Sequence, residues 1–166
     1  MIKEISYGVI PIRDDKLLLL RVYDTWDFPK GKPEDNELPL DTAKRELFEE
    51  TNLSTPVFDW GNDYAETIPY KKGTKIARYF MASCQHGDVK LLPNPESGIT
   101  EHHAFAWLSI DEARERVRDR LHPVISWVTE RIMHGRESTE TTGSDYKGNA
   151  AASARNATQS DTTNNK

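Results

Sequence analysis

The chain has 166 residues, a formal net charge of -5, 36% hydrophobic residues and a single cysteine, Cys84. That length holds one domain with a real core. The low hydrophobic share predicts that part of the chain is not packed, and the acidic balance argues against a general nucleic-acid or membrane-surface binder. One cysteine allows no internal disulfide, and the opening MIKEISYGVIPIRDDK has no basic end followed by a long apolar run, so the expected setting is cytoplasmic.

In chain order, ISYGVIPI over 5–12 reads as a strand, Asp14-Asp15 as a turn, and KLLLLRVY over 16–23 as a second, buried strand. TWDFPKGKPEDN is rich in Pro, Gly and Asp and reads as a loop. A helix follows: Pro39 suits its first turn, Leu40, Ala43 and Leu47 form its apolar stripe with Phe48 at the margin, and Asn52 tolerates the left-handed conformation that ends helices. Strands are predicted over 56–60, 64–70 and 76–84, with KKGT turning between the last two. AFAWL is expected to form another strand after the irregular LLPNPESGITEHH. Ser109-Ile110-Asp111-Glu112 is a capping box, and Leu121, Val124, Ile125, Val128 and Ile132 mark a last amphipathic helix ending at Gly135. From Arg136 the chain holds one aromatic and no large aliphatic residue, too little to offset its ordering entropy. The expected organisation is a domain over 1–134 and a disordered tail over 135–166, with an α/β (α+β) fold of strands on both sides of a central helix.

Glu46, Glu49 and Glu50 fall three and four apart, on one face of the central helix beside Arg45. A charge run is usually a solvated face. Here Glu37 stands at the helix entrance, Gly31 precedes it by six residues and Arg45 follows by eight. Converging carboxylates suit a hard divalent cation, and Arg45 can fix one of them through paired hydrogen bonds.

The stretch GKPEDNELPLDTAKRELFEETNL resembles the Nudix box, G-x5-E-x7-R-E-U-x-E-E-x-G-U, with Gly31, Glu37, Arg45, Glu46, Leu47, Glu49, Glu50 and Leu53 at the matching positions. Asn52 stands where the family has Gly and can meet the same backbone need. The resemblance implies an α/β/α sandwich with a mixed central sheet and a catalytic loop–helix–loop. It also implies hydrolysis of a nucleoside diphosphate linked to another group, by water attack on phosphorus. On it, Glu46, Glu49, Glu50 and the backbone carbonyl at Lys30–Gly31 hold Mg2+, with Mn2+ as a substitute. Arg45 orients the glutamates, and Glu37 supports the loop or a further metal.

ISYGVIPIR, WDFPKGK, ETIPYKKGTKIARYFMA and EHHAFAWLSIDEA, in that order, resemble the asymmetric diadenosine tetraphosphate hydrolases within this family. This implies cleavage to ATP and AMP by a monomer acting on a small nucleotide. Lys75 and Tyr79, four apart on a predicted strand, share a face. The resemblance gives Lys75 a phosphate and Tyr79 the base, against the alternative of a core aromatic. Glu101, in a loop, is expected to help hold metal or position the attacking water. Lys30 and Lys32 flank the metal loop within reach of phosphate. Tyr70 and Arg78 are weaker candidates, Trp26 and Trp107 are expected to pack, and His102 and His103 stay outside the expected site. An RNA 5′-pyrophosphohydrolase is the rival within the family, disfavoured by Lys30-Gly31-Lys32 where that group resembles QGG and by the lack of a basic track. Other diphosphate-linked nucleotides, or a nucleotide-sensing module without catalysis, are further alternatives.

Overall fold

The computed structural model describes residues 1–135; the tail expected beyond them lies outside the described residues. The chain divides into Met1–Thr129, which carries every named element, and a second unit from Glu130, of which 130–135 are helical. The first unit runs β1 (Glu4–Arg13), β2 (Lys16–Val22), β3 (Thr25–Asp27), β4 (Lys30–Gly31), α1 (Pro39–Thr51), β5 (Tyr64–Glu66), β6 (Lys75–Ser83), β7 (Ala104–Leu108) and α2 (Ile110–Arg116). A further helix begins at residue 122.

The sheet is mixed, with the order β3-β2-β1-β6-β5; β4 adds to β1 and β7 to β2. Its centre is the parallel pair β1–β6, in register from Glu4↔Lys75 to Ile12↔Ser83, while the other strand pairs are antiparallel. A parallel pair needs covered faces, and both strands are apolar nearly throughout. In β2 the buried run Leu17–Leu20 alternates across the sheet: Leu18 and Leu20 join Val9, Ala43, Leu47, Leu53 and Phe80 in the α1-side core, which leaves Leu17 and Leu19 to the opposite face. The expected mixed sheet between helices is present.

Several local expectations hold for local reasons. Asp14 and Asp15 both take positive φ in the β1–β2 turn, and Ser109 caps α2 by accepting from the Glu112 N–H at 3.2 Å. Asn52 sits at φ 68° and donates its N–H to the Phe48 carbonyl at 2.9 Å, closing α1 in the left-handed conformation. Phe48 itself is 47% exposed, so the α1 stripe is narrower than the sequence implies.

Other expectations change. The Pro/Gly-rich loop yields β3 and β4, because neighbouring sheet edges capture its backbone: β3 pairs with β2, and Gly31 with Tyr7 of β1. The segment 56–60 keeps only a bridge, Val57↔Ser83, and 64–70 keeps a strand only to Glu66. Beyond it, the Thr67 hydroxyl accepts the Ala77 N–H at 3.0 Å, and Pro69 has no N–H to give. Gly8 went unremarked in the sequence. A Cβ there would lie 2.2 Å from the Pro29 carbonyl oxygen, so only glycine lets the FPKG loop press onto β1.

At Asn52, Gly should be tolerated and a β-branched residue should not. We expect Asn52→Gly to change unfolding free energy by less than about 0.5 kcal/mol, and Asn52→Val to destabilise by about 1–2 kcal/mol, by chemical denaturation. Equal losses in the two variants would mean that the amide side chain, not the backbone conformation, ends the helix.

Candidate active site

α1 carries Arg45, Glu46, Glu49 and Glu50 along one edge, facing β4. Together with Glu101 they line a cleft of about 520 Å³ whose other walls include Ser6, Lys30, Gly31, Lys32 and Lys75. Gly31 leaves room for the Glu46 carboxylate, since a Cβ would fall 2.0 Å from Glu46 Oε1.

Arg45 organises the acidic wall. Its Nε donates to Glu37 Oε2 at 2.8 Å and its Nη2 to Glu37 Oε1 at 3.0 Å, a two-pronged hold. Nη1 donates to Glu46 Oε1 at 3.0 Å and Glu49 Oε2 at 3.1 Å, and Nη2 also to the Lys32 carbonyl at 2.9 Å. Glu37 further accepts from the Thr42 hydroxyl at 2.6 Å and the Glu34 N–H at 3.2 Å. These bonds, Arg45 first, draw its carboxyl down to about 2. Glu37 thus ties the loop to the helix.

One arginine cannot neutralise this wall. Burial raises the Glu50 carboxyl well above the usual carboxylate range and Glu46 adds to the shift, against the charge and backbone N–H of Lys30. That N–H reaches Glu50 Oε2 at 3.2 Å. Glu46 is also raised, by burial first and then by Glu49 and Glu101, against the pull of Arg45. The wall therefore holds an unmet demand for positive charge. The available donors are carboxylate oxygens and the Gly31 backbone, the donor chemistry of Mg2+ or Mn2+. Among the described residues, no three such side chains stand in ligating positions as they are. The cause is visible: Glu46 and Glu49 each turn an oxygen to Arg45, and Glu50 turns one to Lys30. The residues fit a divalent ion by donor type and charge, with side-chain rotation needed to receive it.

The cleft brings together most of the residues singled out from sequence. Glu101 faces the acidic helix and accepts from Asn94 Nδ2 at 3.1 Å. Lys30 Nζ lies 3.5 Å from Asp27 and lines the cleft floor. Lys75 and Lys32 also line the cleft, both paired with Glu4. Tyr79 is a correction: it does share the strand with Lys75, but β6 is covered on both faces and the ring is fully buried against Phe28. Its hydroxyl donates to Asp27 at 2.6 Å, so it is a core aromatic that cannot meet a base. Arg78, paired with Glu66 at 2.7 Å, and Tyr70, under the Arg120 guanidinium, are not cleft-lining residues either. Trp107 packs under Arg13, and Trp26 packs between Arg21 and Arg116.

Sequence reasoning set His102 aside, whose Nε2 is 4.0 Å from Glu50 Oε2, and missed Asn94, which holds Glu101. The signal for His102 was its adjacency to Glu101. For Asn94 it was the NPES turn, where the Asn94 side chain accepts from Glu96 and Ser97. Asp27, which gathers Tyr79, Lys30 and Arg120 (Nη2 at 2.9 Å), had no local signal.

Two outcomes follow from this geometry. Gly31→Ala pushes the flexible end of Glu46 aside instead of backbone. We expect under about 1 kcal/mol of lost stability but at least a tenfold loss in Mn2+ affinity by calorimetry. Unchanged affinity would remove Glu46 from the metal set. Glu37 has a depressed folded value, so its contribution is present above its ordinary value of 4.5 and lost as pH falls toward about 2. Wild-type stability should therefore decline more steeply than that of Glu37→Gln between those values, in acid titrations of unfolding.

A NUDIX domain profile matches residues 3–128. The chain is 31% identical over 103 residues to the asymmetrical bis(5′-nucleosyl)-tetraphosphatase of Rattus norvegicus, covering 59% of this chain and 67% of that protein. It is 23% identical over 104 residues to an RNA pyrophosphohydrolase of Bartonella henselae, covering 55% of this chain and 60% of that protein, so it spans less than two thirds of the bacterial relative. The fold superimposes on a C. elegans Ap4A hydrolase binary complex with a TM-score of 0.64 at 20% identity, over 80% of this chain and 99% of that one. With the profile running through β1, the Arg45-centred helix and β7, the chain belongs to the NUDIX domain family.

Proposed function

We propose that this protein is a divalent-metal-dependent pyrophosphohydrolase of nucleoside polyphosphates, and that its reaction is asymmetric cleavage of diadenosine tetraphosphate to ATP and AMP. The observation that carries this is one cleft lined by both kinds of charge: Glu46, Glu49, Glu50 and Glu101 together with Lys30, Lys32 and Lys75. A polyphosphate with bound cations has the complementary pattern.

A magnesium or manganese ion supplies charge neutralisation of the diphosphate and a lower pKa for water bound to it. Glu46, Glu49, Glu50 and the Gly31 carbonyl would hold it. Arg45 holds Glu46 and Glu49 beside the cleft through one oxygen each until they rotate toward the ion. Glu101, held by Asn94, orients the attacking water, and a carboxylate of the wall accepts its proton. The water oxygen bonds to phosphorus, the bridging P–O bond breaks, and the nucleotide leaves with the bonding electrons. Lys30, close to Glu50 and kept charged by Asp27, faces the phosphate oxygens. A single, free and buried Cys84 suits a reducing cytoplasm.

Support for the dinucleotide reading comes from the rat relative and from the three lysines that line the cleft. Removal of pyrophosphate from RNA is the second reading, favoured only by the Bartonella likeness; a chain of net charge -5 offers a poor electrostatic track for a long polyanion.

The experiment is steady-state turnover on diadenosine tetraphosphate, a nucleoside diphosphate sugar and a 5′-triphosphate RNA, with Mg2+ and after exhaustive chelation. We expect the tetraphosphate to be used best and activity to vanish on chelation. Glu50→Gln should cut turnover by about a thousandfold or more, while relieving repulsion so that metal-free stability holds or rises by a few tenths of a kcal/mol. Glu50→Gln that turns over normally yet unfolds more easily would make these carboxylates structural.

A further inference from the structure

We propose that Glu4 is a positioning residue that holds Lys32 and Lys75 as a two-ammonium clamp for the part of a polyphosphate chain that lies away from the acidic wall. Glu4 has no place in the Nudix box, and no step above uses it. Its two oxygens serve two different lysines: Oε1 pairs with Lys75 Nζ and Oε2 with Lys32 Nζ. Both lysines line the cleft.

The backbone explains why these three residues meet. Glu4 opens β1 in parallel register with Lys75, the first residue of β6. The N–H groups of Lys3 and Glu4 both donate to the Thr74 carbonyl, at 2.8 and 3.2 Å, which fixes the strand start against the turn before Lys75. Lys32 arrives from the other side, one residue after β4, whose Gly31 is paired with Tyr7 of β1. So one carboxylate stands between two lysines delivered by two different strands.

The three environments differ in a telling way. The Lys75 side chain is 12% exposed, Glu4 is 30% exposed and Lys32 is 64% exposed. Burial lowers the pKa of Lys75, and the hydrogen bond to Glu4 opposes that shift. Lys32 is mostly exposed; free, it would spread over its many rotamers in water, and a ligand would have to order it. Hydrogen bonds from the two lysines hold the Glu4 carboxyl near 2, so it stays an anion. The trio keeps a net positive charge, and each ammonium has three donors, of which Glu4 takes one. Donors therefore remain for phosphate oxygens, with the side chains already in place.

The clamp implies a preference by phosphate number. A chain of two phosphates is occupied at the acidic end, whereas a chain of three or more extends to the lysines. This use of the site rests on the polyphosphate reading above, so the test separates the two. Tripolyphosphate binding to the full-length, metal-free protein is measured by calorimetry, alongside turnover with Mg2+. We expect Glu4→Gln to weaken tripolyphosphate binding about three- to tenfold and to raise KM for diadenosine tetraphosphate by a similar factor. It should change KM for a nucleoside diphosphate sugar by less than about twofold. Lys32→Ala should also weaken tripolyphosphate binding, and the double variant should lose less than the product of the two single losses, because part of the Glu4 effect runs through Lys32 and the rest through Lys75. The lysine variant, at an exposed position, decides the matter even if Glu4→Gln fails to fold. Unchanged or tighter tripolyphosphate binding in Glu4→Gln, or in Lys32→Ala, would overturn the clamp whatever the enzyme turns over. Absence of turnover on every nucleotide, with the tripolyphosphate losses intact, would sink the hydrolase reading and leave the clamp standing.

Discussion

The site depends on how far one guanidinium can be shared. Arg45 spends five hydrogen bonds on Glu37, Glu46, Glu49 and the Lys32 carbonyl. Those partners come from the loop before α1, from the helix itself and from the end of β4. The planar fork of arginine can satisfy all of them at once, which a lysine's point charge could not. With Arg45 in place, loop, strand and helix are fixed together before any ligand arrives. The arrangement still leaves Glu50 without a full charge partner, and its raised pKa registers that deficit.

Backbone proximity makes the sharing possible. Two glycines permit it, neither through a positive φ. Gly8 lets the Pro29 carbonyl come against β1, and Gly31 lets the Glu46 carboxylate come against β4. The central β1–β6 pair carries both walls of the cleft by extension: β4 is added to β1 beside the acidic helix, and Lys75 stands at the opening of β6. The cleft is thus an outcome of strand pairing across long sequence separations, with side chains added at the edges.

This explains which parts were legible. The Nudix box was readable because its spacing is local: one helix face fixes Arg45, Glu46, Glu49 and Glu50 together, and Asn52 answers a backbone requirement at that helix end. The strands β1, β2 and β6 were readable from apolar runs. Tyr79 was misjudged because period-2 alternation says which residues share a face but not whether another layer covers that face; here Phe28 and Asp27 cover it. β3 and β4 were hidden because their sequence is that of a loop, and only a neighbouring edge makes them strands. Glu4 and Asp27 had no local mark at all. Their partners lie tens of residues away, and pairing of that kind is decided by tertiary register, which a single sequence does not print.

The same register bears on what ligand binding must exchange. In the free protein several charges at the cleft have a stand-in partner: Arg45 for Glu46 and Glu49, the Lys30 N–H for Glu50, and Glu4 for Lys32 and Lys75. A polyphosphate with its cations would replace or join these pairs without adding net buried charge. On the acidic side the exchange is favourable because Glu46 and Glu50 are held above their ordinary pKa, so a cation relieves what burial imposes. On the lysine side the carboxylate is deeply ionised and does not leave easily. A phosphate there does better by joining the trio than by displacing Glu4. The carboxylates and the lysines are therefore primed in opposite ways: the first lack a cation, and the second already have a counter-ion and keep donors to spare. On the proposed polyphosphate reading, that asymmetry would set the reacting phosphorus at the carboxylates and leave the remaining phosphates to Lys32 and Lys75.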